Sequence, residues 1–129
     1  MNTRTRKIVF IACSAIIVLY VSFGVWIARD TRVIIRTAMD PQAAYSPYMT
    51  ETVYNSINPL QRHLTASEYA YEPEVGWIGT PLPLHLFLYA KVSVTHTYDS
   101  GFWGFRERVD LTLKLKKGRW VATEVYIKP

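Results

Sequence analysis

The chain has 129 residues, half of them hydrophobic, and a formal net charge of +5. Most of that charge sits at one end: Arg4, Arg6, Lys7 and Arg29 supply +4, whereas residues 30–129 hold eleven Lys or Arg against ten Asp or Glu. A basic balance of that origin gives no reason to expect a nucleic-acid partner, and the single cysteine, Cys13, rules out an intramolecular disulfide.

Ile8 to Ala28 are 21 consecutive positions without a charge, about 31 Å of helix at 1.5 Å per residue, which matches the hydrocarbon core of a bilayer. Trp26 stands near the far end, where an indole suits the headgroup layer. The expected organisation is a basic tail (residues 1–7), a transmembrane helix (8–28), a juxtamembrane helix or linker (29–40) and a folded domain (41–129). Arg29, Arg32 and Arg36 match the tail in number of cations, but the tail is short and acid-free and reads as a signal-anchor. It places the N-terminus in the cytoplasm and the domain outside.

Two processing alternatives remain. Cleavage after Ser22-Phe23-Gly24 would give a secreted protein, although the apolar run continues through Ala28. Lipidation of Cys13 would use Phe10-Ile11-Ala12-Cys13, but only five apolar residues precede that cysteine. Gly24 and Ala28 form a small-xxx-small pair that would let two anchors pack as a homodimer.

Beyond Arg29 the helix is expected to run on until Asp40-Pro41, because the residue before proline is forced out of the α region. Ser46-Pro47 and Asn58-Pro59 each pair an N-cap residue with Pro at the first helical position. They predict short helices over about Pro47 to Ile57, with a Met49, Val53, Ile57 stripe, and about Pro59 to Ala70. Tyr71 to Pro83 holds three prolines and two glycines and reads as a loop.

From Leu84 to Tyr98 the apolar residues alternate, predicting one long strand with Leu84, Leu86, Leu88, Ala90, Val92 and Val94 on one face. After Asp99-Ser100-Gly101 a second strand carries Val109, Leu111, Leu113 and Leu115 inward. Lys117-Gly118 then turns the chain so that Leu115 faces Trp120 and Leu113 faces Ala122. Continued without a break, that register would put Glu124 in the core and Val125 and Ile127 outside, which calls for a β-bulge. The fold class is therefore α+β: an N-terminal transmembrane helix, then short helices packed on an antiparallel meander of three or four strands. The hairpin from Leu113 to Ala122 resembles the C-terminal hairpin of NTF2-like and cystatin-like domains. That resemblance implies a curved sheet wrapped around a helix and carries no functional residue across.

Chemistry is sparse. On one strand His85 and His96 have opposite parity and would point to opposite faces, and His63 has no ligand partner at i+3 or i+4. Glu68, Glu72 and Glu74 border a Pro-rich loop and read as solvated. No phosphate loop or nucleophile motif is present, so neither an enzyme nor a cofactor or metal is expected. Phe102, Trp103, Phe105, Arg106 and Arg108 combine aromatics with arginines beside a turn, the composition of an interaction surface. Lys114, Lys116, Lys117 and Arg119 form a basic hairpin tip. The expected function is a membrane-anchored interaction domain, an accessory subunit or adaptor whose partners are the lipid bilayer and another membrane or envelope protein. The alternative is a ligand-binding module with an apolar pocket lined by Trp77, Tyr89 and Trp120.

Overall fold

In the computed structural model, which describes residues 2–65, 70–101 and 103–128, the apolar run and the segment after it are one helix, α1 (Thr3–Met39). The Asn2 side chain accepts the Thr5 amide and caps its start, and Asp40, extended ahead of Pro41, ends it. The helix changes character along its length. Ile8, Phe10, Ile11, Ile16, Ile17 and Val18 are exposed, whereas Ile27, Thr31, Ile34, Ile35, Ala38 and Met39 are fully buried. That second set repeats at helical spacing on one face, so the helix that begins bare finishes as a core element.

The second helix, α2 (Glu51–Ile57), starts later than Ser46-Pro47 predicts. Tyr48 and Thr50 bond to both backbone groups of Ala122 (Ala122 N to Tyr48 O, 2.9 Å; Thr50 N to Ala122 O, 3.1 Å). Met49 must therefore be extended, and Thr50 takes over as N-cap. The predicted stripe holds: Met49, Val53 and Ile57 are buried. Where the helix over Pro59 to Ala70 is expected to begin, residues 59–64 form a turn instead, closed by His63 at φ 60. Residues 66–69, which include Ser67 and Glu68, lie outside the described set. Asn58 still caps, accepting from the Leu60 and Gln61 amides, while its amide group donates to Ala38 O at 2.9 Å and ties the turn to the end of α1.

Among the described residues the sheet has five strands, β1 (Gly76–Ile78), β2 (Leu82–His85), β3 (Tyr89–Asp99), β4 (Gly104–Lys116) and β5 (Arg119–Lys128). All pairings are antiparallel, in the order β1-β3-β4-β5, with β2 beside β1 along the same edge of β3. The α+β class stands, but two strands come from or reach into the stretch read as a loop, where Pro83 is tolerated because β2 is an edge strand.

The long strand expected over Leu84 to Tyr98 is in fact two. The chain reverses at Leu86-Phe87-Leu88, with Phe87 left-handed at φ 61 and the Leu86 amide bonded to Tyr89 O. Leu84, Leu86 and Leu88 consequently do not share the core face of Ala90, Val92 and Val94; they are 72, 78 and 68 % exposed. The β4–β5 register is as predicted, with Leu115 opposite Trp120 and Leu113 opposite Ala122. A bulge between Thr112 and Leu113 then brings Val125 opposite Leu111 and Ile127 opposite Val109. The extra residue turns Glu124 and Tyr126 outward. α1 and α2 cover one face, and Trp120, Tyr98, Leu111 and Leu113 fill the core beneath them.

Candidate functional site

Three places on the molecule carry more than packing. The first is the end of the sheet at the β3–β4 turn, where the interaction surface was expected. Trp103 and Phe105 are half-buried against the core, with ring centroids 5.0 and 6.3 Å from Tyr98. Arg106 and Arg108 are exposed, and Phe102 lies outside the described residues. Beneath them Arg62 reaches from the turn after α2 to Glu107, making two bonds of 2.5 and 2.9 Å and lying 5.6 Å from the Phe105 ring centre. This bidentate pair spans 45 positions of sequence and has no local signal.

His96 sits directly opposite Glu107 and is 1 % exposed; neither ring nitrogen has a partner among the described residues. Burial, helped by the nearby Arg62 charge, lowers its pKa to about 4. It is a neutral core histidine packed edge-on against Phe105 at 5.1 Å.

On the outer face of the sheet lies a shallow, open groove of about 520 Å³, lined by Leu82, Leu84, Lys91, Asp110, Glu124 and Tyr126 among others. Ser93 donates to Asp110 while Arg108 donates to Ser93 at 2.8 Å, so the hydroxyl is locked between two charges and is no free nucleophile. The residues expected to line a pocket under the helices do not converge. Trp120 is fully buried, Trp77 lies on edge strand β1 at 59 % exposure, and Tyr89 begins β3 at 37 %.

The third place is a seam between α1 and the β2–β3 hairpin. His85 stacks on Tyr20 with centroids 3.9 Å apart; its Nδ1 accepts the Phe87 amide (3.2 Å) and its Nε2 lies 2.9 Å from Tyr20 O. Those contacts fit the tautomer protonated on Nε2. Phe23 packs against Phe87 and Trp26, and Trp26 meets Trp120 edge-on at 5.7 Å. Trp26 is thus half-buried against the domain. Gly24 faces Pro83, with 3.7 Å between a built Cβ and the ring, so the close approach its size allows is made within the chain; Ala28, one turn on, is half-buried. Because the hairpin reverses the chain, His85 and His96 both lie on the helix-covered side of the sheet, correcting the opposite-face expectation. His85 pairs with Ala90, six residues from His96, which is about 20 Å of strand and far beyond shared ligation.

Comparison with family models, with curated proteins and with solved structures gives no match for this chain. What stands is the fold itself and an N-terminal helix long and apolar enough to cross a membrane.

Proposed function

We propose that the chain is a single-pass membrane protein whose N-terminus is cytoplasmic and whose extracytoplasmic domain is a non-catalytic interaction domain, an accessory subunit or adaptor of a membrane or envelope assembly. The observation that carries this reading is the continuity of α1. An 18-residue apolar window of the helix is unburied, and the same helix supplies Ile34, Ile35, Ala38 and Met39 to the domain core without a break. A domain built on its own anchor is held at a set height and orientation, which suits presenting a surface to a neighbouring membrane protein.

The surface best suited to that partner is the end of the sheet away from the apolar half of α1, where Arg106, Arg108 and the edge-strand residue Trp77 are exposed. Photo-crosslinking residues at Trp77 and Arg106, irradiated in native membranes, are expected to trap one partner. A crosslinker at Lys117, at the other end of the sheet, should trap none. Recovery of a polypeptide beginning after Gly24 from the aqueous fraction would end the anchored reading.

A further inference from the structure

Among the described residues of the folded domain, the β2–β3 hairpin holds the most exposed leucines: Leu82, Leu84, Leu86 and Leu88 are each at least 68 % exposed. Its position along α1 can be read residue by residue. Pro83 lies against Gly24, and two residues on, His85 stacks on Tyr20, four residues back along the helix. Two residues of strand and four of helix both advance about 6 Å, so β2 runs along α1 toward its N-terminus.

If α1 spans the bilayer, as proposed above, this register sets the depth of the hairpin. The uncharged run ends at Ala28. Tyr20, eight residues earlier, lies about 12 Å inside that boundary, and a helix tilt of about 20° removes less than 1 Å of it. Keeping the hairpin in water would leave only Ile8 to Leu19 for the membrane, about 18 Å of helix against a hydrocarbon core of about 30 Å.

A second observation is independent of depth. Backbone N–H groups in hydrocarbon must be satisfied within the protein, and those of His85 to Leu88 are. The His85 amide bonds to Tyr20 Oη (3.3 Å), Leu86 to Tyr89 O (2.8 Å), Phe87 to His85 Nδ1 (3.2 Å) and Leu88 to Leu86 O (2.7 Å). Leu88 O in turn accepts from the Leu115 amide at 3.0 Å. Beside this turn, Lys114, Lys116, Lys117 and Arg119 are exposed on long stems that reach headgroups.

The geometry points to the β2–β3 hairpin as a second membrane-inserted element, with Leu82, Leu84, Leu86 and Leu88 facing acyl chains in the leaflet on the domain's side. The domain does not stand off the bilayer; one edge of it is sunk there beside its own anchor.

The test uses the full chain in phospholipid nanodiscs containing no other protein, with an environment-sensitive thiol dye at single cysteines. Native Cys13 reports on the span; in a Cys13→Ser background, Leu86→Cys and Leu84→Cys report on the hairpin and Ser100→Cys on the far end. The expected result is that dyes at 13, 84 and 86 are quenched by nitroxide-bearing lipid and are about tenfold less accessible to aqueous iodide than the dye at 100. If Cys13 is protected while positions 84 and 86 quench like position 100, the hairpin proposal is overturned and the anchor reading survives. Protection of 84 and 86 only in native membranes, and not in pure lipid, would overturn it in favour of a protein partner. An accessible Cys13 would remove both.

Discussion

The Trp120 indole meets the Trp26 indole edge-on, with centroids 5.7 Å apart and planes at 72°, so the start of β5 is locked to α1. Trp120 is 0 % exposed, and its amide lies 3.5 Å from the Asp30 carboxylate. Trp120→Ala should destabilise the domain by about 3 to 5 kcal/mol, the range for emptying a buried aromatic site. Trp26→Ala, at a half-buried position, should cost less, and the double variant should show a coupling of about 0.5 to 1.5 kcal/mol. Urea unfolding in mild detergent, followed by near-ultraviolet circular dichroism, measures all three. Equal midpoints for Trp120→Ala and the parent would refute the packing described.

His96 makes stability depend on acidity in a known direction. Its folded pKa of about 4 lies below the ordinary value of 6.5, so on acidification the unfolded chain binds a proton that the native state refuses. Stability from this group is full above about pH 6.5, falls as the pH drops toward 4, and changes no further below that, by about 3 kcal/mol in all. Unfolding curves at pH 7, 6 and 5 should diverge for the parent and stay closer together for His96→Phe. Identical slopes would mean that His96 is solvated.

The Arg62–Glu107 pair is partly shielded, with side chains 21 and 9 % exposed. Glu107→Gln leaves the guanidinium over Phe105 without its counter-charge and should cost about 1 to 2 kcal/mol. Arg62→Met should do something else as well: removing a cation that lowers the His96 pKa should narrow the pH interval over which stability is lost. A variant that lowers stability equally at pH 7 and pH 5 without changing that interval would show that the two groups are uncoupled.

Gly104 closes the β3–β4 turn opposite Asp99, and a Cβ there would stand 2.6 Å from the Tyr98 carbonyl oxygen and 3.1 Å from the Asp99 Cα. Both are backbone atoms that move only with the strand. Gly104→Ala should therefore destabilise by about 1 to 3 kcal/mol, whereas Gly24→Ala, whose new methyl meets Pro83 at an ordinary 3.7 Å, should be close to neutral. The pair of thermal midpoints distinguishes a tight backbone approach from a merely small residue.

Local chemistry in the amino-acid sequence determined the uncharged run, the helix end at Asp40-Pro41, the Met49, Val53, Ile57 stripe, and the β4–β5 register with its bulge. Each rests on neighbours a few residues apart: a hydrophobic period, a proline's effect on the residue before it, a Lys-Gly turn. Composition singled out Phe102, Trp103, Phe105, Arg106 and Arg108 as a candidate surface, whereas the Arg62–Glu107 pair beneath joins residues that no local pattern relates.

Only the tertiary structure decided the reversal at Leu86-Phe87-Leu88. The alternation of leucines and valines continues in step through those residues, with no glycine, proline or asparagine to mark a turn, so sequence parity sees one strand. What fixes the bend is the Tyr20 ring and carbonyl receiving His85, contacts supplied by a helix 65 positions away, after which the His85 ring so held accepts the Phe87 amide. The same contacts turn His85 inward and leave the leucines outside, beside the part of α1 that is itself bare.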